Sequence, residues 1–164
     1  MTKILYLLRH AQSAEKQQGQ ADKDRELTPV GIKETLQIGT YLYRKKIMLD
    51  AIFCSVAVRA QTTAQLISDT LKINNEKIIP EDELFQASVR TFFEFIGQLD
   101  DTYNHVMCVG HNPVISYLAE YLCKEEIGDM PPAGLTIIRF NIHTWKDVKE
   151  GNGEMVTFVT PKEL

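Results

Sequence analysis

Apolar residues fall along this chain in two rhythms. Ile4-Leu5-Tyr6-Leu7-Leu8 and Val106–Val109 are short unbroken apolar runs with branched residues, the pattern of strands covered on both faces. Ala51–Cys54 is a weaker third run. Between them the spacing turns helical. Thr28-Pro29 offers an N-cap followed by proline at the first helical position, and Ile32, Leu36, Gly39 and Tyr43 then recur as one stripe as far as about Lys46. Ala60, Ala64, Ile67 and Leu71 mark a second helix over Val58–Leu71. A third helix after Ser88 buries Val89, Phe92, Phe93, Ile96 and Leu99. A fourth starts at Asn112-Pro113 and carries Ile115, Leu118, Ala119 and Leu122. Leu135–Ile142 and Met155–Val159 close the chain as β structure, separated by a Gly-containing turn region.

Alternating strands and helices predict the α/β class: one three-layer domain over residues 1–164, with a mainly parallel sheet and helices on both faces. The late strand pair allows an antiparallel member. In such sheets ligands bind outside the carboxyl ends of the strands, so the residues just after each strand matter first. They are Arg9-His10, Ser55 to Arg59, and Gly110-His111-Asn112.

Composition narrows the reading without redirecting it. The 164 residues are 44% hydrophobic and 24% charged, as in ordinary globular domains, which excludes collagen-like and disordered classes. Eighteen basic against twenty-two acidic side chains leave a net charge of −4, which argues against a nucleic-acid or acidic-membrane binder. Any anion site must then be local. The run at Ile4–Leu8 is too short for a membrane span. Cys54, Cys108 and Cys123 are odd in number and sit in apolar surroundings, so they read as reduced core thiols and point to the cytoplasm.

Two histidines and two arginines thus converge on one rim of the sheet. Arg9 and Arg59 are planar donors suited to a phosphate or carboxylate, while His10 and His111 can donate, accept or attack near neutral pH. Rival readings are weaker. Only four residues separate Cys54 from Arg59, too few for a cysteine-phosphatase loop, and His105, Cys108 and His111 are spaced so that a strand scatters them rather than gathering a zinc ligand set.

The segments Leu8-Arg9-His10-Ala11-Gln12-Ser13, Ser55 through Ala64 and Gly110-His111-Asn112-Pro113 resemble, in order, the motifs of the histidine phosphatase superfamily, whose fold is phosphoglycerate mutase-like. Asp24–Gly31 and the short length look like its SixA-type phosphohistidine phosphatase branch. The resemblance implies that His10 is the phosphoryl-accepting nucleophile, with Arg9, Arg59 and His111 clamping the phosphoryl oxygens and no metal or other cofactor needed. It places Ser13 and Asn112 near the phosphate. Arg25, on a loop over Ala14–Glu26 beside the pocket, is a candidate contact for an acidic partner. The general acid of larger members has no clear counterpart; Glu83, Asp22 and Asp24 are weak candidates.

The expected activity is therefore removal of a phosphoryl group through a phosphohistidine enzyme intermediate. The expected substrate is phosphohistidine on a protein such as a histidine phosphotransfer domain. A small-molecule sugar or nucleotide phosphatase is the alternative, and a non-catalytic phosphate-binding module a more distant one. The expected partner is accordingly a phosphorylated protein or small phosphorylated substrate, with neither nucleic acid nor membrane.

Overall fold

The computed structural model describes residues 1–164. Six strands form one sheet: β1 (Lys3–Arg9), β2 (Ala51–Ser55), β3 (Ile78–Glu81), β4 (His105–Gly110), β5 (Leu135–Phe140) and β6 (Gly153–Val159). Their order is β3-β2-β4-β1-β5-β6. β1, β2, β3 and β4 run parallel, whereas β5 is antiparallel to β1 and β6 to β5. The α/β class and the antiparallel addition from the late strand pair are both present.

Alternation along the strands sends neighbouring side chains into two separate cores. On one face Leu5, Leu7, Phe53, Val106 and Cys108 meet α3 (Val89–Gly97) and α4 (Val114–Cys123). On the other, Tyr6, Leu8, Ile52, Cys54, Met107 and Val109 meet α1 (Pro29–Arg44) and α2 (Val58–Leu71). Trp145 is fully buried in the first core, and its indole N–H donates to the Tyr103 carbonyl at 2.9 Å. Lys3 is almost as buried. Its ammonium donates to the carbonyls of Asp101 (2.6 Å) and Tyr103 (2.8 Å) and to Asn104 Oδ1 (2.9 Å), so the buried charge is fully hydrogen-bonded.

One strand has no counterpart in the sequence reading, and two expectations are corrected. β3 carries Pro80 and only four residues on the sheet edge, so it has no apolar run to announce it. The buried stripe of α1 is Gly31, Thr35, Ile38, Gly39 and Leu42, while Ile32, Leu36 and Tyr43 are exposed; periodicity found the helix but chose the wrong face. α4 begins at Val114 with Pro113 as its cap, so Asn112 is not the N-cap, and it precedes a cis peptide bond. By contrast α2 spans the residues its pattern predicts.

Thr28 does cap α1, accepting from the Gly31 amide at 3.0 Å, and its hydroxyl donates to Gln12 Oε1 at 2.6 Å. This ties the helix start to the chain just past His10. Gly31 is required there, because a β-carbon would lie 2.3 Å from the Gln12 carbonyl oxygen. Gly31→Ala should therefore push the segment carrying His10 off its seat and lower stability by about 1–3 kcal/mol. Denaturant titration beside an activity assay checks this; an unchanged midpoint would show that the contact relaxes freely.

Candidate active site

His10 leaves the end of β1 and His111 the end of β4. Because Arg9 pairs with Gly110 in the parallel register, and the His10 amide donates to the Gly110 carbonyl at 3.0 Å, the two rings emerge side by side. Their centroids are 5.0 Å apart at 61°. The turn at Ala133 fastens the same corner from the other side, its amide donating to the carbonyls of Arg9 (3.1 Å) and His10 (3.3 Å).

His10 is buried, and its Nδ1 lies 2.8 Å from the Ala11 carbonyl oxygen. A carbonyl only accepts, so Nδ1 carries the proton and Nε2 keeps its lone pair. Burial depresses the His10 pKa to about 3, opposed by the Ala11 hydrogen bond and reinforced by His111, Arg59 and Arg9 nearby. The ring is neutral at physiological pH. His111 is lowered to about 4, again first by burial and then by Arg59, with Asp22 acting in the opposite sense and Arg9 adding to the fall. Its Nε2 is 2.8 Å from the hydroxyl of Ser55, a fully buried residue at the end of β2, and Phe85 meets the ring edge-on at 5.8 Å between centroids.

Two guanidiniums complete the pocket. Arg9 donates from Nη1 to the Met130 carbonyl at 2.8 Å. Arg59, at the start of α2, donates from Nη1 to the Asp22 carbonyl (2.8 Å) and from Nη2 to the Asp22 carboxylate (3.0 Å). The Nε of each arginine is buried without a protein partner. Unpaired buried donors are costly, and both belong to guanidiniums that line one cavity, where an oxyanion can pair with their charge. The cavity is about 330 Å³, lined by the predicted Arg9, His10, Ser13, Arg25, Arg59, His111 and Asn112 and also by Asp22, Phe85 and Gln86.

The secondary candidates divide. Ser13 accepts from Arg25 Nη2 at 3.0 Å, and Arg25 also donates to the Ala14 carbonyl at 2.8 Å and to Asp22 at 3.0 Å. These bonds pin the end of the loop over Ala14–Glu26 against the pocket. Asn112 Oδ1 is engaged by the Ser116 hydroxyl. Glu83 lies away from the pocket, lining a separate cavity with Glu81 and Asp100. Asp24 does not line the pocket either. Asp22 does, but its two arginines hold its carboxyl below the usual carboxylate range, so it stays ionised and is no proton donor. Ser55, Phe85 and Gln86 escaped the sequence reading: Ser55 stood at a noted strand end without a role, and the other two follow β3, the strand with no pattern of its own. His105 bonds the Tyr6 hydroxyl at 2.9 Å at the opposite end of β4 and Cys108 is sealed in the core, so the His105, Cys108 and His111 set is not brought together.

The description of the histidine phosphatase superfamily (branch 1) matches residues 5–85, which include the first two motifs. An uncharacterized protein of Mycobacterium tuberculosis is 34% identical over 166 residues, spanning 94% of this chain and 100% of that protein. The chain belongs to the histidine phosphatase superfamily. A structure assigned as the phosphohistidine phosphatase SixA of Agrobacterium tumefaciens superposes with a TM-score of 0.83 at 26% identity, covering 97% of this chain and 98% of that one. The mycobacterial glucosyl-3-phosphoglycerate phosphatase shares the fold at a TM-score of 0.68 and 16% identity, covering 96% of this chain and 98% of that one. The phosphoglycerate mutase-like fold of this superfamily is thus the fold of the present chain.

Two predictions follow from the geometry. His10 and His111 are held neutral in the fold but take up a proton near 6.5 once the chain unfolds, so unfolding absorbs protons from pH 6.5 down to about 4 for His111 and about 3 for His10. Stability should be full above pH 6.5 and fall as the pH drops through that window. Thermal melts of wild type and His10→Gln compare the slopes, and the variant should show the shallower one. Ser55→Ala should leave both the His111 ring and the Ala57 amide, which donates to Ser55 Oγ at 3.2 Å, without a partner, lowering turnover about tenfold and stability by about 1–3 kcal/mol, as steady-state kinetics and melts would show; wild-type turnover would remove Ser55 from any positioning role.

Proposed function

We propose that the protein is a phosphatase working through a phosphohistidine enzyme intermediate, and that its substrate is phosphohistidine displayed on another protein. The observation that carries the reading is the neutral His10 ring, with its Nε2 lone pair free, beside two guanidiniums whose Nε donors lack partners.

In this reading Nε2 of His10 attacks the phosphorus, and the Nε2–P bond forms as the P–N bond to the substrate imidazole breaks. The electron pair of that bond leaves with the imidazole, which departs neutral when its other nitrogen is already protonated. Arg9, Arg59 and His111 bind the phosphoryl oxygens as charge spreads over them, so catalysis comes from positioning and electrostatics. Water then attacks the phosphorus of phospho-His10, and the Nε2–P bond breaks with its electron pair returning to Nε2. Both water protons leave with the product as dihydrogen phosphate, and His10, still protonated on Nδ1, returns to its neutral state.

Substrate choice follows from what lines the pocket. Its one carboxylate, Asp22, is held ionised by Arg25 and Arg59, so the pocket carries no carboxylic acid to protonate a leaving group. Expelling an alkoxide, whose conjugate acid has a pKa near that of water at ~15.7, is then hard. Imidazole, titrating near ~6.5, leaves far more readily, and each unit of that difference corresponds to ~1.36 kcal/mol of proton affinity, of which the transition state feels a fraction. The preference for a phosphoprotein over a small phosphoramidate rests on the SixA-like fold.

The test uses one panel of substrates. Turnover of a phosphohistidine protein should exceed that of sugar phosphates by orders of magnitude, and log(kcat/KM) across aryl and alkyl phosphates should fall steeply with leaving-group pKa. His10→Ala should abolish turnover without unfolding the chain, and a brief reaction with labelled donor should place the label on His10. A flat dependence, with sugar phosphates preferred, would move the assignment to a small-molecule phosphatase, and label on another residue would remove His10 from the nucleophile's role.

A further inference from the structure

A second groove lies apart from the catalytic pocket. It has a volume of about 830 Å³ and runs along the exposed side of α1, where Ile32, Leu36 and Tyr41 face the side chain of Leu164. Ile32 is 39% and Leu36 42% exposed, although their spacing is that of a core stripe. An apolar stripe left open on a helix calls for a partner. The groove begins at Pro29, directly after Thr28, whose hydroxyl is bonded to Gln12, two residues beyond His10. Its upper end therefore adjoins the rim that carries the catalytic pocket.

Its charge selects the occupant. Lys33, Arg44 and Lys45 line the groove and no Asp or Glu side chain does, although the 164 residues together carry a net charge of −4. A second copy docking through this same face would set these cations against their own counterparts, because a two-fold interface is self-complementary. An acidic partner is favoured instead. From Lys33 to Lys45 is twelve residues, about 18 Å along the helix, which suits a partner helix of similar length.

We infer that the α1 groove docks an acid-flanked amphipathic helix of the phosphoprotein substrate, seating that protein so that its phosphohistidine reaches His10. The partner would place apolar side chains at i, i+3 or i+4, and i+7 over Ile32 and Leu36, with Asp or Glu beside Lys33 and Arg44. This inference rests on the phosphoprotein reading above, and its test separates the two.

Wild type and Leu36→Glu are compared on a phosphorylated four-helix phosphotransfer domain and on phosphoramidate. Leu36 is exposed and outside the catalytic pocket, so phosphoramidate turnover should stay within twofold, which also shows that the variant is folded. Turnover of the phosphoprotein should fall tenfold or more in kcat/KM, carried by KM. In parallel, amide chemical shifts of the full chain are followed during titration with a helical 14-residue peptide bearing Leu at i, i+3 and i+7 flanked by Glu, and with its Lys-flanked counterpart. The acidic peptide should perturb α1 and Leu164, bind at least tenfold tighter than the basic one, and lose that binding in Leu36→Glu. Equal phosphoprotein kinetics in the two enzymes, equal binding of the two peptides, or perturbations elsewhere would each overturn the docking groove and leave the phosphatase reading intact. If wild type hydrolyses phosphoramidate but not the phosphoprotein, the phosphoprotein reading fails, and with it the groove as a substrate dock, whatever the peptides do.

Discussion

Arg9 lies opposite Gly110 where β1 pairs with β4, and the His10 amide completes that ladder on the Gly110 carbonyl. Both histidines leave the sheet at the same level because of this register. A slip of one residue would turn every side chain of β1 to the opposite face, exchanging Leu5 and Leu7 for Tyr6 and Leu8 between two differently shaped cores. The cores thus enforce the site. Two layers of apolar packing, each covering one face of the sheet, make the relative position of His10 and His111 costly to disturb.

The electrostatics of the pocket depend on that same burial. Taking His10 out of water is the main reason its ring stays neutral, and the nearby cations add to an effect that burial begins. The Ala11 carbonyl then decides which nitrogen is protonated. A local hydrogen bond within one dipeptide thus presents a lone pair on Nε2, while the guanidiniums that would otherwise repel a proton stand ready for an anion. Asp22 makes the arrangement tolerable without one. It neutralises part of the charge of Arg59 from an exposed position that an incoming oxyanion can take over.

The catalytic constellation and the α1 groove are built differently. One is a small polar pocket whose members come from β1, β2, α2 and β4 and from the loops after them; the other is an open apolar trough on a single helix with cations along it. On the readings proposed above, chemistry and recognition would be carried by separate surfaces that adjoin at Thr28 and Gln12.

The strand runs, the helix starting at Thr28-Pro29 and the extent of α2 were legible in the residues alone, because hydrophobic periodicity and capping are local properties. So was the gathering of Arg9, His10 and His111, at the ends of apolar runs, and of Arg59, at the start of the helix after β2, on the rim where α/β sheets put their ligands. Other features are set by contacts distant in sequence. Nothing local tells which face of α1 is buried: Gly31 and Thr35 pack inward because Gln12 and the sheet lie there, and the more hydrophobic Ile32 and Leu36 are left outside. Asp22 and Asp24 stand two residues apart in one charged loop, yet only Asp22 reaches Arg59, thirty-seven residues away. Glu83 and Gln86 follow the same edge strand and part into different cavities. Periodicity records what a segment can bury, and only the assembled sheet and its helices decide against what.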